Sequence, residues 1–190
     1  MKETWTNIRE NLIEISPKIA KSFNKPATQK EIRQLETTIG EKLPTSFVEY
    51  LTTFDGQNHN DFEISFIGAN SLLTIKEILE VWTMQVELFA DEPEIEITEN
   101  KVKPKIWDKK WIPFSDFMAN QRLVIDLNPG KNGTYGQILQ LWAGQDLEDD
   151  EVVVANSFEE FTKRILEDLK SKNFQITDEK IIEVNDEWII

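Results

Sequence analysis

The chain has 190 residues, no cysteine, and a net charge of −14 from 21 basic and 35 acidic side chains. Without cysteine there is no disulfide, thiolate metal site or cysteine nucleophile, and so large an acidic excess repels phosphate backbones and anionic lipid. A hydrophobic content of 39% and an aromatic content of 10% are those of a folded chain, read as a single domain over 1–190.

In chain order, Trp5, Ile8, Leu12, Ile15 and Ile19 recur at helical spacing, but Pro17 lacks a donor and clashes with the preceding turn. The spacing therefore predicts one helix to about Ile15 and a looser connection through Lys25 and Pro26. Acidic and amide residues punctuate the N-terminal stretch through Glu14, which is not a signal-peptide pattern. No run approaches the ~18 apolar residues of a membrane span, so the expectation is a cytoplasmic protein.

Thr28 and Glu31 form a capping box that opens a second helix with Ile32, Leu35 and Ile39 inward, stopped by Gly40. Leu43 and Pro44 open a third, short helix carrying Phe47, Tyr50, Leu51 and Phe54, and Asp55-Gly56 closes it. Alternation of Phe62, Ile64 and Phe66 predicts a strand over 62–67. A second capping box, Thr74 and Glu77, precedes a helix containing Ile75, Ile78, Leu79, Trp82, Val86 and Phe89. That apolar arc is wide enough to predict a place deep in the core.

Residues 91–100 are acidic and interrupted, and are read as an exposed loop. Strands are predicted at Trp111–Phe114, Leu123–Leu127, Tyr135–Trp142 and Val152–Val154, with a turn over 128–133 and a second acidic loop over 145–151. Ser157 and Glu160 make a third capping box before a helix that buries Phe158, Phe161, Ile165 and Leu169. Its outer side offers Glu159–Lys163 and Glu160–Arg164 in the favourable i to i+4 order. Residues 173–190 form a C-terminal segment read as one or two edge strands. The sum is an α+β fold: one mixed, mostly antiparallel sheet with four to five helices packed around it.

No constellation for catalysis emerges. The single histidine, His59, sits in a polar loop, and no G-x-S-x-G elbow occurs. One imidazole builds no histidine-rich zinc site. Gly130, Gly133 and Gly136 fit neither phosphate-loop pattern, and they join two strands rather than a strand and a helix. The run Asp146, Leu147, Glu148, Asp149, Asp150, Glu151 lacks the ligand spacing and central glycine of an EF-hand loop. Asp126, within an apolar strand, is read as a structural acid that accepts backbone N–H bonds from the turn after it. No catalytic residue, metal ligand or cofactor is assigned.

Pro26, Ala27, Thr28, Glu31, Glu36, Gly40, Leu43, Pro44, Phe47 and Asp55-Gly56 together resemble the opening of the SUKH superfamily. This is the Smi/Knr-like family of a yeast glucan-synthesis and cell-wall-assembly regulator, which also holds bacterial toxin-immunity proteins. Trp111, Pro113, Phe114, Asp126, Asn128-Pro129, Gly136-Gln137 and Ser157-Phe158 are similar to its second block, in the same order. The resemblance spans roughly Trp5 to Leu169, and these motif residues have a structural reading: turns, caps, and a close backbone approach at Gly136. Two departures stand out. Asp55 replaces the usual asparagine, and Ala119-Asn120-Gln121-Arg122 replaces a glycine-rich stretch.

The resemblance implies a non-enzymatic protein-binding role, and the acidic surface suits a basic partner. The expectation is an immunity protein that occludes the cleft of a basic, nuclease-type toxin. The alternative is a regulatory or scaffold module in cell-wall or envelope synthesis. Asp91, Glu92, Glu94 and Glu96 in one loop, and Asp146, Glu148, Asp149, Asp150 and Glu151 in the other, are the expected contacts. Trp142 is the expected aromatic anchor.

Overall fold

A computed structural model describes residues 1–58, 65–68, 70–95, 99–143, 152–177 and 180–183. The first helix, α1 (Lys2–Ile15), ends at Ser16, and Pro17 then opens a separate short helix, α2 (Pro17–Ser22). This corrects the looser connection expected there: proline breaks a helix from within but suits the first turn of a new one. The next two helices are α3 (Gln29–Ile39) and α4 (Thr45–Leu51).

Thr28 caps α3 as its spacing predicts. Its Oγ1 accepts the Glu31 N–H at 3.3 Å, and Glu31 Oε2 accepts the Thr28 N–H at 2.7 Å. That bonding, led by the Thr28 side chain, holds the Glu31 carboxyl below its usual range. Glu36 reaches from α3 to accept the Leu43 N–H at 3.2 Å and pairs with Lys42, which fixes the link into α4.

Residues 59–64, with His59 and most of the strand expected over 62–67, lie outside the described residues. The described end, 65–67, is no strand; Ile67 makes only an isolated bridge to Asn70. A two-residue strand, β1 (Ser71–Leu72), follows instead. Then come α5 (Ile75–Leu88), β2 (Trp111–Phe117), β3 (Gln121–Asp126), β4 (Gln137–Trp142), β5 (Val153–Ala155) and α6 (Phe158–Ser171).

The strands form one five-stranded sheet in sequence order, β1-β2-β3-β4-β5, with every pairing antiparallel. Two further strands, β6 (Phe174–Thr177) and β7 (Lys180–Glu183), pair only with each other. They do not extend an edge of the main sheet, as was expected of 173–190; residues 184–190 lie outside the described residues. Among the described residues there are six helices, against the four to five expected, and the main sheet is antiparallel throughout rather than mixed, within the α+β fold expected.

Both faces of the sheet are covered. Ile112, Phe114, Leu123, Ile125 and Ile138 face a large core filled by Trp5, Phe47, Tyr50 and Phe158 from the helices. Phe158 stands at its centre, with ring centroids 5.0 Å from Phe47, 5.3 Å from Phe114 and 5.6 Å from Tyr50. The opposite face carries a smaller cluster of Trp107, Trp111, Val124, Leu139 and Val152, with Val86 of α5 and Phe89 just after it packed against it.

Helix α5 corrects a second expectation. Only Ile75, Ile78 and Gln85 are fully buried; Met84 and Leu88 are 46% and 63% exposed. The helix lies along the rim of both clusters, so its wide apolar arc is divided between two partial contacts. The third capping box is also half formed: Ser157 Oγ accepts the Glu160 N–H at 3.1 Å, but Glu160 returns its bond to the Asn156 N–H. On its outer side Lys163 pairs with Glu159 at 2.7 Å.

Candidate protein-binding surface

The register brings Trp111, Asp126 and Gln137 into one row across β2, β3 and β4, on the side of the smaller cluster. Asp126 is fully buried. Its Oδ1 accepts the Asn128 N–H at 2.8 Å and its Oδ2 accepts Gln137 Nε2 at 2.8 Å. Burial pushes this carboxyl up to about 6, against the lowering effect of both hydrogen bonds.

Asn128 Nδ2 continues the chain of bonds to Asp108 Oδ2 at 2.9 Å, and Asp108 Oδ1 accepts the Lys110 N–H at 2.8 Å. Gln137 also donates to the Lys101 carbonyl at 2.9 Å and accepts the Thr134 N–H at 2.9 Å. Both buried acids are thus occupied in holding the turn after β3 and the segment before β2. Asp126 makes the backbone bond to its turn that the sequence predicts.

The turn glycines carry a different message from the one expected. A methyl group at Gly130 would collide with the carbonyls of Asn100 and Val102, and one at Gly133 with that of Lys101. The close backbone approach is there, against residues 100–102. At Gly136 an added Cβ would meet only Pro44 Cγ at 3.6 Å; its requirement is a φ of +82°. At the other end of the motif, Gly56 lies against the backbone of Leu73 and Thr74.

Asp55, the departure from asparagine, accepts the Ile75 N–H at 2.8 Å through Oδ1, at the start of α5. Burial raises its carboxyl, with Glu31 and Glu77 adding repulsion. The second departure falls on the β2–β3 turn, where Met118 and Ala119 hold φ of +48° and +59° without being glycine.

Of the expected contact residues, Asp91, Glu92 and Glu94 are exposed after α5, while Glu96 and the whole run Asp146–Glu151 lie outside the described residues. Trp142 is 37% exposed at the end of β4. It pairs across the sheet with Gln121, beside the turn whose Met118 is 77% exposed. Ile138 belongs to the large core and Leu139 and Leu141 to the small cluster, so strand alternation places Trp142 on the large-core side. The acidic loop issues from α5 on the other side. The described part of the first acidic loop, Asp91 to Glu94, and Trp142 therefore lie on opposite sides of the sheet.

The structure adds a feature that was not anticipated. A cleft of about 270 Å³ opens between the C-terminal end of α5 and residues 105–109, floored by Val86, Phe89 and Trp107. Lys105, Lys109 and Glu92 stand at its edge. Trp82 Nε1 donates to the Lys109 carbonyl at 2.9 Å and ties this segment to the helix. The signal for it was present in the sequence: Lys101, Lys103, Lys105, Lys109 and Lys110 are five lysines in ten residues of a chain with net charge −14. Among the described residues no group of histidine and acidic side chains is arranged to hold a metal ion.

Residues 26–164 match the model of the SMI1 / KNR4 family (SUKH-1). The chain belongs to that family. It is 27% identical over 90% of its length to "KNR4/SMI1 homolog 2" of Debaryomyces hansenii, and 25% identical over 88% to the "Glucan synthesis regulatory protein" of Neurospora crassa. Over 44% of the chain it is 34% identical to the "Cell wall assembly regulator SMI1" of Saccharomyces cerevisiae. The chain spans 36% and 38% of the lengths of the first two relatives and 16% of the third. The second and third of these relatives are named as regulators. No helix among the described residues of this SMI1/KNR4-family chain is long and apolar enough to cross a membrane.

Proposed function

We propose that this chain is a non-enzymatic regulatory module of cell-wall or envelope synthesis that acts by binding other proteins. The observation that carries the reading is the similarity along most of the chain to relatives named for glucan synthesis and for cell-wall biosynthesis. The disposition of the buried acids supports it, because Asp108 and Asp126 are spent on backbone and amide partners. Among the described residues, Asp91, Glu92, Glu94, Met118 and Trp142 are exposed, and they are the contacts the reading assigns to a partner. Neutralisation of a basic toxin rests on the superfamily resemblance and the negative charge alone, and the relatives' names favour regulation.

The test is disruption of the gene in its source organism, scored by lysis under osmotic shock and by incorporation of labelled wall precursor. A wall defect restored by the intact gene is the expected result. Unaltered wall synthesis, with rescue of growth when the chain is co-expressed with a toxin encoded beside it, would overturn the proposal in favour of immunity.

A further inference from the structure

We infer that the cleft between α5 and residues 105–109 binds a linear acidic segment of a partner protein, taking one or two of its apolar side chains onto the Phe89–Trp107 floor. The inference rests on the reading of the domain as a protein-binding module and names the chemistry of one ligand. At about 270 Å³ the cleft is below the range of small-molecule sites and suits an inserted side chain. Its floor is the outer surface of the smaller cluster, so it is apolar and already packed from behind. Ile106, 36% exposed, adds an apolar lip.

Charge decides the class of ligand. Acids outnumber bases 35 to 21 in this chain, so a surface lysine has ample acidic partners available. Lys101 and Lys110, on either side, do pair, with Glu99 and Glu41. Lys105 and Lys109, the two at the cleft, are exposed and make no ion pair among the described residues. Acids flanking the inserted side chain would meet them directly. The net charge of −14 opposes such a ligand weakly, since acids farther from it than the Debye length of about 8 Å at physiological salt are largely screened. Glu92 is the acid at the cleft, so the ligand's carboxylates lie toward the lysines and away from it.

The probe is a fluorescein-labelled eight-residue acidic peptide with a central leucine–phenylalanine pair, titrated with the full chain by fluorescence anisotropy. Replacing that pair by two serines weakens binding by about tenfold or more, and so does Lys105→Glu combined with Lys109→Glu, with the melting temperature of the domain unchanged. Glu92→Gln tightens binding by about twofold. Equal binding of the serine peptide, or undiminished binding by the double lysine variant, would overturn the assignment. So would a concentration-dependent dimer that the double variant dissolves, because the occupant would then be a second copy of the chain. The two readings fail separately: a wall defect restored by the double lysine variant removes the cleft and leaves the regulatory role standing, whereas unaltered wall synthesis on gene disruption removes the role whatever the peptide does.

Discussion

The two faces of the five-stranded sheet are built on different terms. On one, Trp5, Phe47, Tyr50, Phe114 and Phe158 interlock as rings from three helices and a strand, and buried Asn70, Ser115 and Gln121 bond one another at the β1 side of the sheet. On the other, a smaller cluster shares its layer with a buried carboxylate, a glutamine and the two-acid network that holds the turns. The first face gains stability from area removed from water. The second spends part of its burial on polar groups that must be partnered, and in return it fixes three loops and leaves a cleft at its edge.

The contrast breaks most visibly in the large core. Phe158→Ala removes the ring that four aromatic neighbours share and should cost about 3–5 kcal/mol, read from the urea midpoint. A loss under about 1 kcal/mol would mean that the helices do not close on this residue.

On the other face the effect depends on pH. A carboxyl whose folded pKa is raised from 3.8 to about 6 holds its proton more tightly in the folded state. The stability Asp126 contributes is complete below about pH 4 and is lost as pH rises through 6, with a ceiling of about 3 kcal/mol. Asp126→Asn cannot ionise, so the stability difference between the two proteins should change by that order between pH 4 and 7. A constant difference in chemical denaturation across that range would contradict the burial assigned to this group.

The smallest effect sharpens the comparison at the sheet's end. Ala119 holds a left-handed backbone that costs a non-glycine residue about 1–2 kcal/mol, so Ala119→Gly should stabilise by about 0.5–1 kcal/mol after glycine's entropic cost. A lower melting temperature for the glycine variant would show that the strain is compensated elsewhere in the hairpin.

Neighbours three residues apart are read correctly at two of the three capping boxes. Thr28 with Glu31 and Thr74 with Glu77 cap the helices they precede, and Leu123 to Asp126 forms the strand its apolar run implies. The sequence misleads where one segment's burial is set by another. The arc of α5 reads as wholly internal, yet two partial clusters divide it and leave Leu88 in solvent.

What the sequence by itself determined is the family, the Thr28 and Thr74 helix caps, the existence of β2, β3 and β4 and the backbone bond at Asp126, because each depends on local bonding or on a pattern carried along one segment. Tertiary structure alone decided which glycines press on a neighbouring backbone, that Asp108 and Asp126 share one network, and that Lys105 and Lys109 flank an apolar cleft. Those features join residues distant along the chain, and their energies exist only once the two faces of the sheet are covered and water is excluded between them.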